Sequence, residues 1–498
     1  MSEIRKNIIA NFAGKAWTSI MSLVFIPLYI KFMGIEAYGL IGIFVSIMAL
    51  LSVLDMGLSS TLSRELARLS ASQESAQESR DLVRTLEYVY WGVGILIGLG
   101  LFTLAPLISQ HWIKTQVIPA KTVQQAVMIM GLVVALQWPS SLYDGGLTGL
   151  QRQVLLNSVR GIMAAIQHGG GVLVLWLVSP SILTFFTWQI FSGIIQTLML
   201  GCSVWRSLPI TSEKGCFRKD LLKKNWRFAT GMMSISVMAI ILTQADKIIL
   251  SKLLTLTVFG YYILAFNLAN AVGQLVNPVF IALFPKFSQL IASKGNDINI
   301  TDLYHKGCQF VSIMVLPAAS ILALFSQQVL RLWVRDPAIA QNSHILLSLL
   351  VIGSTLNALM TLPFMIQLAY GWTKLSFLKN VIAVFVLIPL MIWFTGLYGA
   401  VGAACVWIIL NAGYFLIEIP IMHRRLLKCD MWNWYFHDVG IPLLIILSIA
   451  FCSRIVMPHI ESSYFSLVWI LVTGLLALFF STLTVPFTRE WVKRSITL

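Results

Sequence analysis

Charge is what this chain has least of: Asp, Glu, Lys and Arg make up only 11% of its 498 residues, while 58% are hydrophobic. Its mean hydropathy is +0.83. Soluble domains carry about a quarter charged residues, so this composition excludes one. Cysteine is also scarce, with six residues at 202, 216, 308, 405, 429 and 452 and no CxxC or other paired spacing. That pattern argues against a disulfide framework and a metal site. No GxxxxGK[ST] loop is present to cradle nucleotide phosphates. Arg5 and Lys6 precede a long apolar segment that lacks a small-residue cleavage site, so the first span is expected to remain as a signal anchor.

Long apolar runs are there instead. Crossing roughly 30 Å of hydrocarbon takes about 20 apolar residues, and such runs recur from residue 8 to residue 485. They predict an all-α polytopic membrane protein with about 14 transmembrane helices. The longest connections are short, so no soluble domain is expected. Basic residues collect in alternate connections: Arg64, Arg68, Arg80 and Arg84 in one, Arg152 and Arg160 in the next, then Lys214, Arg218, Lys219, Lys223, Lys224 and Arg227. About 26 of the 35 Lys and Arg fall on the side of the N-terminus. The positive-inside rule then puts both termini in the cytoplasm, and the net charge of +15 reflects topology rather than nucleic-acid binding. The stretch "STLSRELARLSAS" reads as an amphipathic helix on the inner surface.

The chain also resembles itself. "KFMGIEAYGLIG" (31 to 42) and "KLLTLTVFGYYIL" (252 to 264) align Gly39 with Gly260; "LTGLQRQVLLN" (147 to 157) and "AYGWTKLSFLKN" (369 to 380) align Gly149 with Gly371. Both pairs have an offset of about 221 or 222, which chance similarity would not preserve. The expected organisation is a six-helix bundle at 1–206, a basic cytoplasmic linker at 207–227, a second six-helix bundle at 228–425, and two additional helices at 426–498. Six crossings is an even number, so the bundles are related in parallel, with substrate carried between them.

With those features in place, "NFAGKAWTSIMSLVFIPLYIKFMGIEAYGL", "LLSVLDMGLSSTLSREL", "QADKIILSKLLTLTVFGYYILAFNLANAVGQLVNPVFIALFPKFSQL" and "GLYGAVGAACVW" resemble the Wzx-type polysaccharide flippases of the MOP superfamily. These are relatives of the MATE exporters and the lipid II flippases. The resemblance covers the first twelve spans. It implies a MATE-like fold at the bacterial inner membrane that moves an undecaprenyl-pyrophosphate-linked oligosaccharide to the outer leaflet by alternating access. It further implies no cofactor, coupling to an H+ or Na+ gradient, and a polysaccharide polymerase and chain-length regulator as partners beside the membrane lipid.

Such a cargo needs a wet, partly cationic path, because bare charge in hydrocarbon is costly. Asn7, Asn11, Lys15, Thr18 and Ser22 lie on one helical face. Asn267, Asn270, Gln274 and Asn277 make a stripe of amides suited to sugar hydroxyls or to joining helices. Trp407, Asn411, Tyr414 and Glu418 share a third face, Glu418 near the cytoplasmic end where water can reach it. Arg160 and Glu87 lie near the same surface. Within "LTQADKIILSKLL", Ser236, Thr243 and Lys247 share a face from which Asp246 is turned by about 100°. Lys15 and Lys247 are the candidates for the pyrophosphate, and Asp55 or Asp246 for the coupling ion. The alternative for Asp246 is a structural pair with Lys247 or Lys252. Two other functions compete: a MATE-like exporter or lipid II flippase, and a membrane glycosyltransferase or polymerase. The enzyme reading is weakened by short outer loops, of which "LISQHWIKTQVIPAK" (107 to 121) carries no carboxylate.

Overall fold

A computed structural model of the chain describes residues 3–70, 75–211, 213–293, 297–427, 430–457 and 462–484, without the side chains of 3–5, 8, 224–239, 297, 298 and 484. Ser236 therefore lies outside the described side chains. Almost every described residue is helical, and the extended structure amounts to one isolated bridge between Lys114 and Thr255. A backbone in hydrocarbon must satisfy its polar groups internally, and a helix does so within one segment.

Among the described residues, ten stretches are long and apolar enough to cross a membrane. Two of these, residues 9–55 and 373–426, run to 47 and 54 residues, more than twice what about 30 Å of hydrocarbon requires. Each is broken by a glycine at positive φ, Gly34 (φ 82°) in one and Gly399 (φ 60°) in the other.

The chain divides into two compact units, Met1–Gly260 and Tyr261–Leu498. In the first, α1 (Glu3–Leu51), α2 (Leu58–Leu69), α3 (Ala76–Leu107), α4 (Ala120–Gln137), α5 (Ser140–Gly149), α6 (Gln153–Leu177) and α7 (Ile182–Ser207) precede α8 (Lys219–Leu253). Here α1 packs on α6, α3 on α4, and α7 on α4 and α6, while α8 packs on α1, α2 and α3. The amphipathic α2 turns Leu58, Leu62, Leu66 and Leu69 inward, at the three- and four-residue spacing of one helical face. That face rests on α5, so protein rather than lipid covers its apolar stripe.

The second unit takes in most of α9 (Leu256–Gln274), followed by α10 (Asn277–Ala292), α11 (Asp297–Leu324), α12 (Ser326–Val334), α13 (Pro337–Leu359), α14 (Thr361–Ala369) and α15 (Thr373–Gly413). After these come α16 (Ile419–Leu426), α17 (Met431–Asn433), α18 (Ile441–Val456) and α19 (Ser463–Thr484). Short π-helical turns at Tyr414–Glu418 and Trp434–Gly440 join α15 to α16 and α17 to α18.

The internal repeat is visible in backbone geometry, with one correction to its register. Before α6, Gln151 is left-handed (φ 58°), and the Arg152 amide donates to the Leu147 carbonyl at 2.8 Å. Before α15, Gly371 is left-handed (φ 69°), and the Trp372 amide donates to the Gln367 carbonyl at 2.9 Å. Gly371 thus corresponds to Gln151, not Gly149. Gly149 answers a different need, since a Cβ there would lie 2.4 Å from the Ser63 carbonyl oxygen of α2.

Candidate functional site

The polar face of α1 divides along its length. Asn11 donates to Gln153 Oε1 and accepts from Asn157 Nδ2, both at 2.6 Å, and Asn7 donates to the Gln151 carbonyl at 3.4 Å. These amides fasten α1 to α6. Farther along, Lys15 and Ser22 are exposed. Thr18 and Ser22 return their hydroxyls to α1's own carbonyls at 3.0 and 2.8 Å. The exposed Lys15 ammonium on a membrane helix requires water or a polar ligand, because hydrocarbon offers it nothing.

Asp246 and Lys247 meet, although adjacent positions on a helix point about 100° apart. Lys247 Nζ lies 3.1 and 3.2 Å from the two Asp246 oxygens and donates to the Thr243 carbonyl at 2.8 Å. The four-carbon lysine stem closes the angle by folding back over the preceding turn. Both residues are 7% exposed, which fits the structural-pair alternative, with Lys247 as the partner. Lys252 instead places its ammonium 5.2 Å from the Trp112 ring centroid.

Asp55 sits where α1 gives way to α2, just before the left-handed Met56 and Gly57. The Tyr90 hydroxyl donates to it in a short hydrogen bond. The Ser59 amide approaches at 3.4 Å and the Ser141 hydroxyl at 3.5 Å. It is the candidate coupling carboxylate with neutral donors around it. Other acids in this unit are committed to the fold. Asp144 pairs with Arg160. Glu87 is buried, accepts from Trp205 at 2.7 Å and Tyr143 at 3.0 Å, and pairs with Arg84 at 2.9 Å. Glu36, also buried, accepts the Gln116 and Val117 amides at 2.7 and 2.8 Å.

In the second unit the amide stripe is interrupted, because α9 ends at Gln274 and α10 begins at Asn277. Asn270, Gln274 and Asn277 are exposed, Asn267 is half-buried, and Asn277 donates to Gln274 across the break at 2.7 Å. Asn411 is enclosed, accepting from Asn357 at 2.9 Å and donating to the Trp407 carbonyl at 2.8 Å. The Trp407 ring itself fills the space over Gly353.

Glu418 is not solvated as expected from its position. It is 3% exposed and held by Lys379 at 2.6 Å and Gln367 at 2.7 Å. The same Lys379 ammonium lies 4.7 Å from the Tyr414 ring centroid. This group lines a groove of about 360 Å³ whose other walls include Ile382, Val386, Leu390 and Ile409 of the two arms of α15.

One cluster was not foreseen. His305 on α11 bridges Asp438 at 2.5 Å and Asp430 at 3.1 Å, and Gln309 donates to the other Asp438 oxygen at 2.9 Å. Asp438 is wholly buried in the π-helical turn. Asp438 and Asp430 lie 133 and 125 residues from His305 in sequence, and no local pattern announces them.

The model of the family described as "Polysaccharide biosynthesis protein" matches residues 4–291. A Shigella flexneri protein named as an O-antigen transporter is 21% identical over 410 residues, covering 81% of this chain and 94% of its own. The lipopolysaccharide biosynthesis protein WzxC of Escherichia coli (strain K12) is 22% identical over 457 residues, 87% of this chain and 86% of its own. Among solved structures, the inward closed lipid II flippase MurJ aligns with TM-score 0.69 and 16% identity, over 97% of this chain and 99% of that one. An inward-facing multidrug resistance MATE transporter of the MOP superfamily aligns with TM-score 0.65 and 12% identity, over 84% and 96%. These likenesses give the fold, and the match over residues 4–291, more than half of the chain, gives the family: the chain belongs to the polysaccharide biosynthesis protein family.

Proposed function

We propose that this protein is a flippase that carries an undecaprenyl-pyrophosphate-linked oligosaccharide from the inner to the outer leaflet of the bacterial inner membrane, by alternating access and with both termini in the cytoplasm. The observation that carries the reading is the family match over residues 4–291, joined by the relative named as an O-antigen transporter along 81% of the chain. The exposed Lys15, Asn270, Gln274 and Asn277 support it physically, since polar groups exposed on membrane helices suit a hydrated path for sugars. Lys15 serves the pyrophosphate, the exposed amides and Tyr414 the sugars. Asn11 and Asn411 contribute through the helix packing they hold, Lys247 through its pair with Asp246, and the half-buried Asn267 as part of the amide stripe.

Asp55 is the coupling carboxylate of this reading, taking H+ or Na+ among neutral donors. Asp246 takes part only if its pair with Lys247 opens. A polysaccharide polymerase and a chain-length regulator are the partners, receiving the flipped unit. The protein is a transporter and breaks no bond.

The test is deletion of the gene in its native host, followed by assigning the lipid-linked oligosaccharides to the cytoplasmic or outer face. Complete units held at the cytoplasmic face, with loss of surface polymer, are expected. Incomplete units would indicate a transferase, and accumulation at the outer face a polymerase. An unchanged pool with altered drug sensitivity would indicate an exporter.

A further inference from the structure

A polar cavity opens at the start of α6, beside the first turns of α1. Its volume is about 550 Å³, and Lys6 of α1, Arg152 before α6 and Arg206 in the last turn of α7 line it together with Asn7, Ser158 and Ser207. No acidic side chain is part of this lining. Several other cations of the unit are neutralised on the spot: Arg64 and Arg68 by Glu65, Arg84 by Glu87, Arg160 by Asp144, and Lys247 by Asp246. Among the described residues, Lys6, Arg152 and Arg206 have no such partner. Three like charges around one cavity repel each other, and the arrangement becomes favourable when an anion joins them.

The backbone points to the same ligand. Arg152 is not helical (φ −94°, ψ 41°), and the first helical bond runs from the Leu156 amide to the Arg152 carbonyl at 3.0 Å. The amides at 153–155 therefore have no helical acceptor, and Val154 and Leu155 lie on the cavity wall. Asn7, only 8% exposed, fixes the adjoining turn through the Gln151 carbonyl. Free amides at a helix start beside guanidinium groups suit phosphate oxygens. The volume falls within the range of about 300–1,000 Å³ usual for small-ligand pockets.

We propose that this cavity binds the phosphoryl headgroup of a lipid, at the end of the unit that the basic connections assign to the cytoplasm. Two lipids supply that chemistry: the polyprenyl pyrophosphate of the cargo, captured before it crosses, and an anionic phospholipid of the bilayer. Placing the cargo here rests on the flippase reading; the anion site itself does not.

The experiment uses the full chain in phosphatidylcholine nanodiscs, with undecaprenyl pyrophosphate and phosphatidylglycerol as separate probes. Replacing all three cations (Lys6→Gln, Arg152→Gln, Arg206→Gln) should cut retention of the bound probe by more than about 10-fold. The charge-preserving set Lys6→Arg, Arg152→Lys, Arg206→Lys should retain it. Selective loss of undecaprenyl pyrophosphate identifies the cargo, and equal loss of both probes identifies headgroups generally. Unchanged retention of both probes in the folded neutral variant overturns the proposal. If that variant does not fold, Arg206→Gln alone with a salt titration decides: retention indifferent to both overturns it, and retention weakened by both supports it. Charge-dependent binding by a protein whose deletion leaves surface polymer intact would keep this site and remove the flippase reading.

Discussion

Gly39 and Gly260, matched to each other by the internal repeat, lie against one another. A Cβ on Gly39 would stand 2.6 Å from the Leu256 carbonyl oxygen and 3.2 Å from the Gly260 nitrogen, and one on Gly260 would stand 2.4 Å from the Ile35 carbonyl oxygen. The obstacles are largely backbone, which a rotamer change cannot relieve. Gly39→Leu is therefore expected to cost more than about 3 kcal/mol and Gly39→Ala less. Thermal unfolding of the purified protein in detergent checks this, and a Leu variant as stable as the parent would refute the close approach.

Removing one partner of the Asp246–Lys247 pair should do more harm than removing both. Asp246→Asn leaves an ammonium buried without its counter-ion, at a cost of about 3–5 kcal/mol. Asp246→Asn with Lys247→Met removes the stranded charge and should recover most of that loss. A double variant as unstable as Asp246→Asn would mean that the pair is not the principal interaction. Transport with unchanged pH dependence in the double variant would exclude Asp246 from coupling.

The bridge from His305 to Asp438 and Asp430 makes a similar claim for the second unit. His305→Leu takes the imidazole from the fully buried Asp438 and should destabilise by about 2–4 kcal/mol. Asp438→Asn, which preserves the Gln309 contact in altered form, should cost less. Limited proteolysis of the connection between α16 and α18 reads the effect, with faster cutting expected in His305→Leu.

Glu65 supplies a pH prediction outside the membrane spans. Burial pushes its carboxyl up, but the Arg64 and Arg68 guanidinium groups together hold it below its ordinary value. A depressed carboxyl stabilises the fold above its unfolded pKa, and that contribution is lost as the pH falls through the lower, folded value. Protection from hydrogen exchange across residues 58–69, taken relative to the intrinsic amide rate at each pH, should therefore fall with acidification below the ordinary carboxylate range. Glu65→Gln should exchange faster at neutral pH and lose that dependence; the same acid response in both proteins would assign it elsewhere.

The fold was legible wherever one residue's neighbours along the helix decide its fate. Apolar runs gave the membrane class, and the spacing of Asn7 and Asn11 correctly placed them on one face. That α6 would meet this face with Gln153 and Asn157 is a tertiary fact no helical spacing contains. Backbone direction also misleads for long side chains, as Lys247 shows by crossing the angle that separates it from Asp246. The repeat was found through its glycines but misregistered at Gly149, because a glycine needed for close approach looks the same in sequence as one needed for a left-handed turn. Gln151 occupies that turn without looking like a turn residue. His305 and Asp438 lay beyond reach because their association depends on two distant helices arriving side by side.

The connection from α7 to α8 is held by α3 in a particular way. Asp81 accepts the Cys216 amide at 2.8 Å, Thr85 accepts the Arg218 amide at 2.9 Å, and Arg80 donates to the Pro209 carbonyl at 3.0 Å. In each case a side chain of α3 grips main chain, which every residue except proline presents in the same form. The linker can therefore exchange most of its side chains and still follow the same course, whereas replacing Arg80, Asp81 or Thr85 removes one of the bonds that set it. The memory of the linker's path is written in α3, and in a collection of viable random variants the linker should drift while those three positions stay fixed.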